Sequence, residues 1–236
     1  MMKLLYIDEQ SNQRDTVFRA AVFSECFAED EVETLAPCST VDETIAVVLE
    51  SGCSVLISDY RLNEEDAAVT FNGLDLIAEV QARLVGFPCF LTTNYVGEAI
   101  GKNVSVDVNA IFPKSDYLAE QDEDHKSELP FFLRVRAKTE EYISIMKKKE
   151  ERLLSLLAKA EESELAAADL QELIDLDDYL EASTVGRNKI PSIVKGEHLQ
   201  VFNTLIQRAN ELCEEVEDQL AKGHDLGFDS NSGPKI

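Results

Sequence analysis

The chain of 236 residues carries 46 acidic and 22 basic side chains, a net charge of -24 at pH 7. This charge repels phosphate backbones and anionic lipid surfaces, so it argues against nucleic-acid and membrane partners. With 44% hydrophobic residues, the chain can form one globular domain and an appended element. We expect no export signal or membrane span, because no apolar run reaches about 18 residues. Five cysteines without a CxxC pair indicate buried thiols in a reducing cytoplasm.

Short apolar runs recur along the first half of the chain, and most end in polar residues. They lie at 3–8, 54–59, 88–94 and 108–114, with a weaker candidate at 31–37. Between them, apolar residues with helical spacing lie at 17–23, 45–49 and 74–80. This alternation predicts an α/β fold: a doubly wound, five-stranded parallel sheet with helices on both faces.

Polar side chains follow the predicted strands, and the carboxyl ends of parallel strands meet at one edge of a sheet. The set consists of Asp8, Glu9, Asp59, Thr92, Thr93 and Lys114. Clustered carboxylates need a cation, and oxygen ligands with room for water favour Mg²⁺. With a phosphoryl donor, Asp59 can act as nucleophile, Lys114 can balance charge, and a threonine hydroxyl can donate to a phosphoryl oxygen. We favour Thr92 for that donor, with Thr93 as the rival.

Four motifs in this region resemble those of response-regulator receiver domains of two-component signalling, which have the CheY-like, flavodoxin-like fold. YIDE matches the acidic pair after the first strand, and LISDYRL matches the phosphoacceptor motif. FLTTN matches the hydroxyl-bearing switch position, and IFPKSD matches the lysine at the fifth strand. The resemblance covers residues 1–118 and the start of the helix near 129.

The resemblance implies a role for each matching residue. Asp59 is the phosphorylation site, Lys114 contacts the phosphoryl group, and Thr92 is the switch hydroxyl. Mg²⁺ is held by Asp8, Glu9, Asp59 and the main-chain carbonyl of Arg61. The phosphoryl donor is a histidine kinase or a phosphotransfer protein, and the only catalysis expected is self-catalysed phosphotransfer and its hydrolysis.

Two positions and one loop depart from the family pattern. Ser115 stands where a proline usually follows the lysine, and Ile111 stands where an aromatic switch residue is expected. The loop from Asn63 to Asn72 is longer than usual, and Gly73 takes the place of its glycine. These departures leave an alternative open, a phosphorylation-independent pseudo-receiver that acts as a scaffold or adaptor.

The second half of the chain is predicted to be helical. After an acidic loop at 118–128, residues 129–163 form one long helix with an a/d-type apolar stripe. Further helices are predicted at about 164–182 and 196–222, with a basic loop between them and a disordered tail at 223–236. We therefore divide the chain into a receiver (1–128), the long helix, a helical interaction region (164–222) and the tail.

The apolar stripe has two interpretations. It can form a coiled coil in a homodimer, which we favour, or pack against the later helices of the same chain. No helix-turn-helix with basic flanks and no phosphate-binding glycine loop is evident, so we expect the output partner to be an unidentified protein rather than DNA.

Overall fold

The computed structural model describes residues 2–64, 66–102, 106–118, 130–163 and 165–184. Its contacts divide the chain into two compact units. The first consists of Met1–Ala158 and Leu165–Asn188, and the second of Lys159–Glu164 and Lys189–Ile236. All the contacts discussed below lie within the first unit. The predicted helix at 196–222, the basic loop from residue 185 onward and the tail lie outside the described residues.

Five strands form one parallel sheet in the described part of the chain. They are β1 (Leu4–Ile7), β2 (Val32–Leu35), β3 (Val55–Asp59), β4 (Cys89–Thr93) and β5 (Ile111–Pro113). Their order across the sheet is β2-β1-β3-β4-β5, and every neighbouring pair is parallel. This is the doubly wound, flavodoxin-like order. The predicted doubly wound, five-stranded parallel sheet, including the weaker strand candidate, is confirmed.

Helices connect the strands and extend beyond them. They are α1 (Ser11–Phe23), α2 (Val41–Ser51), α3 (Gly73–Arg83), α4 (Val96–Lys102), α5 (Ser115–Leu118), α6 (Phe131–Glu162) and α7 (Ala167–Thr184). Two of them begin at side-chain caps. The Thr40 hydroxyl accepts a hydrogen bond from the main-chain N–H of Glu43, and the Asn72 carbonyl oxygen accepts from Leu74 and Asp75.

The sheet separates two hydrophobic cores, because successive strand residues point to opposite faces. Leu5 and Ile7 of β1 pack in the core that contains α2, α3 and α4. Leu4 and Tyr6 pack in the other core, with α1, α5 and the start of α6. Strands buried on both faces explain why the sequence shows continuous apolar runs rather than alternation.

The long helix α6 contributes to both cores. Phe131, Phe132 and Val135 pack in the core that contains α1. Farther along the helix, Tyr142 and Met146 belong to the core on the opposite face. The Tyr142 ring meets Phe87 edge to face, with ring centroids 5.8 Å apart. Helix α6 is therefore part of the globular unit and does not merely follow it.

The end of α7 packs against the same region. The Tyr142 hydroxyl donates to the main-chain oxygen of Ser183, and the Ser183 hydroxyl donates to that of Val85, each over 3.4 Å. Arg152 of α6 and Glu172 of α7 form an ion pair with donor and acceptor atoms 2.5 Å apart. The first two contacts join α6 and α7 near the segment that precedes β4, and the ion pair joins the two helices at a second point.

The apolar stripe of α6 is buried within the single chain. Its buried members include Phe132, Val135, Thr139, Tyr142, Met146, Leu153 and Leu156. The dimer prediction depends on the need of apolar positions for a partner, and the chain itself supplies burial at these positions. A coiled coil remains a prediction.

Four cysteines lie in the described residues and all are free thiols. Cys53 and Cys89 are buried, as predicted, whereas Cys26 and Cys38 are only half-buried. None of the helices in the described residues is long and apolar enough to cross a bilayer.

Candidate functional site

A polar cavity of about 150 Å³ lies at the carboxyl ends of the strands. Six of the residues singled out in the sequence line it: Asp8, Glu9, Asp59, Arg61, Lys114 and Thr93, the rival to Thr92. Gln10, Glu64, Asn94 and Tyr95 complete the lining. The sheet order therefore brings together residues that lie more than 100 positions apart in the chain.

Lys114 joins the two central carboxylates. Its Nζ atom lies 2.9 Å from Asp8 Oδ2 and 2.8 Å from Asp59 Oδ1, and all three side chains are almost fully buried. The lysine follows β5 directly, and its main-chain N–H donates to the carbonyl oxygen of Thr93. Burial lowers the pKa of Lys114, but the charges of Asp59 and Asp8 outweigh that effect and raise it. The ammonium group therefore stays charged.

Asp8 is held by two further donors. The Tyr6 hydroxyl donates to Asp8 Oδ2 over 2.6 Å, and the main-chain N–H of Gln10 donates to Oδ1 over 2.8 Å. Sequence reasoning missed Tyr6. Residues two apart lie on the same side of a strand, so the spacing of Tyr6 and Asp8 was the available signal.

Asp59 carries a raised pKa. Burial raises the pKa of this carboxyl from 3.8 to about 6, and the nearby charge of Asp8 adds to the increase. Lys114 and the main-chain N–H of Arg61, which donates to Asp59 Oδ2 over 2.8 Å, act in the opposite direction. The anion is thus incompletely compensated, and added positive charge would favour it.

The two threonines of β4 differ in position. Thr93 lines the cavity, and its hydroxyl accepts a hydrogen bond from the main-chain N–H of Tyr95. Thr92 is absent from the lining, and its fully buried hydroxyl has no hydrogen-bond partner among the described residues. Because adjacent strand residues point to opposite faces, only one of the two threonines can face the cavity. That residue is Thr93, the rival candidate for the hydroxyl donor.

Gly73 lets the first turn of α3 approach Asp59 closely. A Cβ atom at this position would lie 2.0 Å from the Asp59 carbonyl oxygen and 2.8 Å from a methyl of Leu91. The main-chain N–H of Gly73 also donates to the carbonyl oxygen of Tyr60, over 2.8 Å. Only glycine fits here, which explains its place at the end of the long loop.

At the rim of the cavity, the Arg61 side chain connects two elements. Its Nη2 atom lies 2.7 Å from Glu98 Oε2 of α4, and its Nη1 atom pairs with Glu64 of the loop after β3. The guanidinium also lies over the Tyr95 ring, 3.5 Å from its centroid. Sequence reasoning assigned only the Arg61 carbonyl, because a contact 37 residues away depends on the tertiary fold.

The oxygen donors at the cavity fit Mg²⁺. Among the described residues, no three side chains of His, Cys, Asp or Glu converge as a metal-binding group. Mg²⁺, however, keeps several water ligands and needs only one or two carboxylates. Asp8 and Asp59 would supply these, Glu9 lines the same cavity, and the burial of Asp59 without full compensation favours a cation.

No family model and no curated protein matches the chain. One similar structure is the N-terminal domain of an uncharacterized protein from Wolinella succinogenes, at 16% identity and a TM-score of 0.35, covering 63% of this chain and 98% of that one. Another is the response regulator RcsB in complex with DNA, at 13% identity and a TM-score of 0.36, covering 78% and 91%. The strand order of the sheet itself shows the fold.

Proposed function

We propose that the chain is a phosphorelay response regulator that accepts a phosphoryl group on Asp59. The observation that carries this proposal is the buried contact of Lys114 with both Asp8 and Asp59 at the carboxyl edge of the sheet. A lysine that served only as a structural counter-ion would not require an open, polar cavity beside it. The proposed receiver spans residues 1–128.

The proposed reaction is a phosphoryl transfer. A carboxylate oxygen of Asp59 attacks phosphorus, and the bond between phosphorus and the donor's histidine nitrogen breaks. The imidazole keeps the electron pair and later takes up a proton. Lys114 stabilises charge on the transferring group, since its ammonium group already lies 2.8 Å from the nucleophile.

Asp8, Glu9, Asp59 and the carbonyl of Arg61 would hold Mg²⁺, which neutralises charge on the transferring oxygens when bound. For the hydroxyl donor we now propose Thr93 in place of Thr92, because Thr93 lines the cavity. The donor is a histidine kinase or a phosphotransfer protein. The chain's own catalysis is limited to this transfer and the later hydrolysis of the aspartyl phosphate.

We propose that the output passes through the helical region to a protein partner, without DNA. The start of α6 lies in the core that also contains residues of β1, β5 and α5. A structural change near Lys114 can therefore reach this helix through directly packed side chains. Phe131 contacts both Phe112 of β5 and Tyr117 of α5, with ring centroids 5.2 and 6.0 Å apart. Homodimerisation through the helical region is part of the proposal.

One observation favours the pseudo-receiver alternative. Each carboxylate oxygen of Asp8 and Asp59 already has a donor within the protein, from Tyr6, Gln10, Arg61 or Lys114. Such a satisfied site is stable without a phosphoryl group. In this case the chain acts as a scaffold or adaptor.

Titration with Mg²⁺ and beryllofluoride, a mimic of the phosphoryl group, separates the two functions. We expect saturable binding by calorimetry that requires Mg²⁺ and is lost in Asp59→Asn. The matched control is Asp66→Asn, a change of the same type in the exposed loop after β3. Complete indifference of the unaltered chain would reject the receiver function and support the scaffold.

A further inference from the structure

We propose that the Arg61 guanidinium is a second cationic ligand for the phosphoryl group, and that Glu98 and Glu64 hold it away from that group in the resting site. This inference rests on the proposed function. It assigns the Arg61 side chain, rather than its carbonyl, to recognition of the phosphoryl group, and it makes Glu98 a competitor of the ligand.

The guanidinium lies at the cavity but is engaged elsewhere. Arg61 lines the cavity, and its main-chain N–H donates to Asp59 Oδ2. Its side chain is 29% exposed and pairs with Glu98 and Glu64. The Tyr95 ring supports the planar group from one side. The side chain is thus ordered next to the nucleophile by partners that themselves carry negative charge.

Glu98 and the phosphoryl group are both negatively charged, so they compete for the Arg61 guanidinium. Hydrogen bonds from Lys102 and Arg61 lower the pKa of this carboxyl to about 2, so it stays ionised at neutral pH. Lys102 Nζ lies 2.8 Å from Glu98 Oε1, whereas Arg61 bonds to Oε2. Glu98 therefore keeps a cationic partner if the guanidinium turns away, which lowers the cost of that exchange.

The phosphorylated cavity would carry more negative charge than Lys114 and a bound Mg²⁺ offset. An aspartyl phosphate at Asp59 carries about two negative charges beside Asp8, Glu9 and Glu64, and Lys114 is already shared by two carboxylates. A guanidinium presents a planar fork of donors that matches phosphoryl oxygens. When Arg61 turns to the ligand, it releases the connection between the loop after β3 and α4. Occupation of the site is then coupled to the position of α4.

The test measures the affinity for beryllofluoride in the presence of saturating Mg²⁺, by calorimetry on the full chain. Arg61→Ala keeps the main-chain carbonyl and N–H but removes the guanidinium, and we expect binding to weaken on the order of tenfold. Glu98→Gln releases the guanidinium, and we expect binding to strengthen several-fold. Glu64→Gln is a second variant for the same strengthening. Arg83→Ala, which breaks the remote ion pair with Asp42, is the control and leaves the affinity unchanged.

Affinity changes of opposite sign in Arg61→Ala and Glu98→Gln distinguish ligand binding by Arg61 from a purely structural role. If the ion pair only stabilises the rim, removal of either partner changes the affinity in the same direction. Equal directions, or no change in Arg61→Ala, would overturn the inference while leaving the proposed function intact. Absence of binding by the unaltered chain would instead reject the proposed function itself.

Discussion

Lys114 stabilises two buried carboxylates with a single ammonium group. Asp8 is 1% exposed and Asp59 is 7% exposed, so each negative charge has lost most of its hydration. Burying a charge is costly unless it is paired and hydrogen-bonded. The raised pKa of Asp59 indicates that one ammonium group does not fully compensate both acids. The resting site therefore carries more negative charge than Lys114 compensates.

The raised pKa of Asp59 predicts a specific pH dependence of stability. Between pH 3.8 and about 6 the folded state holds a proton on Asp59 that the unfolded state has released. The stabilisation is complete below pH 3.8 and is lost as pH rises through 6. We expect the Asp59 contribution to the free energy of unfolding to fall on the order of 3 kcal/mol across this window.

Urea denaturation at several pH values, with Asp59→Asn as the reference, measures this contribution. The variant keeps the other titratable groups, so the difference between the two chains reports mainly Asp59. We expect the variant to gain stability relative to the unaltered chain as pH increases from 4 to 6.5. A constant difference, or one that changes in the opposite sense, would show that Asp59 is not destabilised by burial.

The site residues differ in how far the sequence predicts them. Asp8, Asp59 and Lys114 each follow an apolar run, so the rule for strand ends predicts them. Thr92 and Thr93 are both buried in β4 and cannot be distinguished by hydropathy, because the strand is covered on both faces. The pairing of Arg61 with Glu98 depends on how α4 packs, which no local pattern encodes.

At the scale of single elements, the close approach of α3 to β3 predicts a strong effect of Gly73→Ala. The added Cβ would lie 2.0 Å from a main-chain oxygen of Asp59, so the helix or the strand must move. We expect thermal or urea denaturation to show a loss of about 3 kcal/mol or more. Gly97→Ala in α4 is the control, since nothing lies within 4 Å of its added Cβ. Equal effects of the two substitutions would contradict this packing.

Two adjacent residues of α6 test whether this helix belongs to the core. Phe132 is fully buried and its ring meets those of Phe27, Tyr117 and Phe131, whereas Leu133 is 44% exposed. We expect Phe132→Ala to cost about 3 to 5 kcal/mol and Leu133→Ala less than about 0.5 kcal/mol in urea denaturation. If Phe132→Ala instead left stability unchanged, α6 would be an appendage.

The elements themselves are well predicted by the sequence, but their partners are not. Apolar runs and helical spacing place every strand and the helices α6 and α7. The stripe of α6 shows that one face is buried without showing what covers it, because periodicity carries no information about the opposing surface. Tyr142 packs against Phe87, which is 55 positions earlier in the chain. Such a contact follows only from the tertiary fold.

For the molecule as a whole, the net charge of -24 argues against DNA as a partner. DNA binding requires contacts that neutralise phosphates, and the excess of acids opposes them. We expect the full chain to leave a DNA duplex unshifted in an electrophoretic assay at micromolar protein and about 0.15 M salt. Retention of the duplex that weakens as salt increases would contradict the exclusion of nucleic acid.

The site at the edge of the sheet is connected to the long helix α6 by directly packed residues. The parallel order brings Asp8, Asp59 and Lys114 to one edge, and Gly73 allows α3 to close against that edge. The aromatic contacts of Phe112, Tyr117 and Phe131 join β5 and α5 to α6. A charge change at Asp59 thus occurs next to elements that pack directly on the long helix.

Phosphorylation of Asp59 is tested most directly by the intact mass of the full chain after incubation with phosphoramidate and Mg²⁺. We expect the addition of one phosphoryl group, which requires Mg²⁺, is absent in Asp59→Asn and is retained in Asp66→Asn. An unchanged mass under all conditions, or a phosphoryl group that persists in Asp59→Asn, would contradict phosphorylation at Asp59.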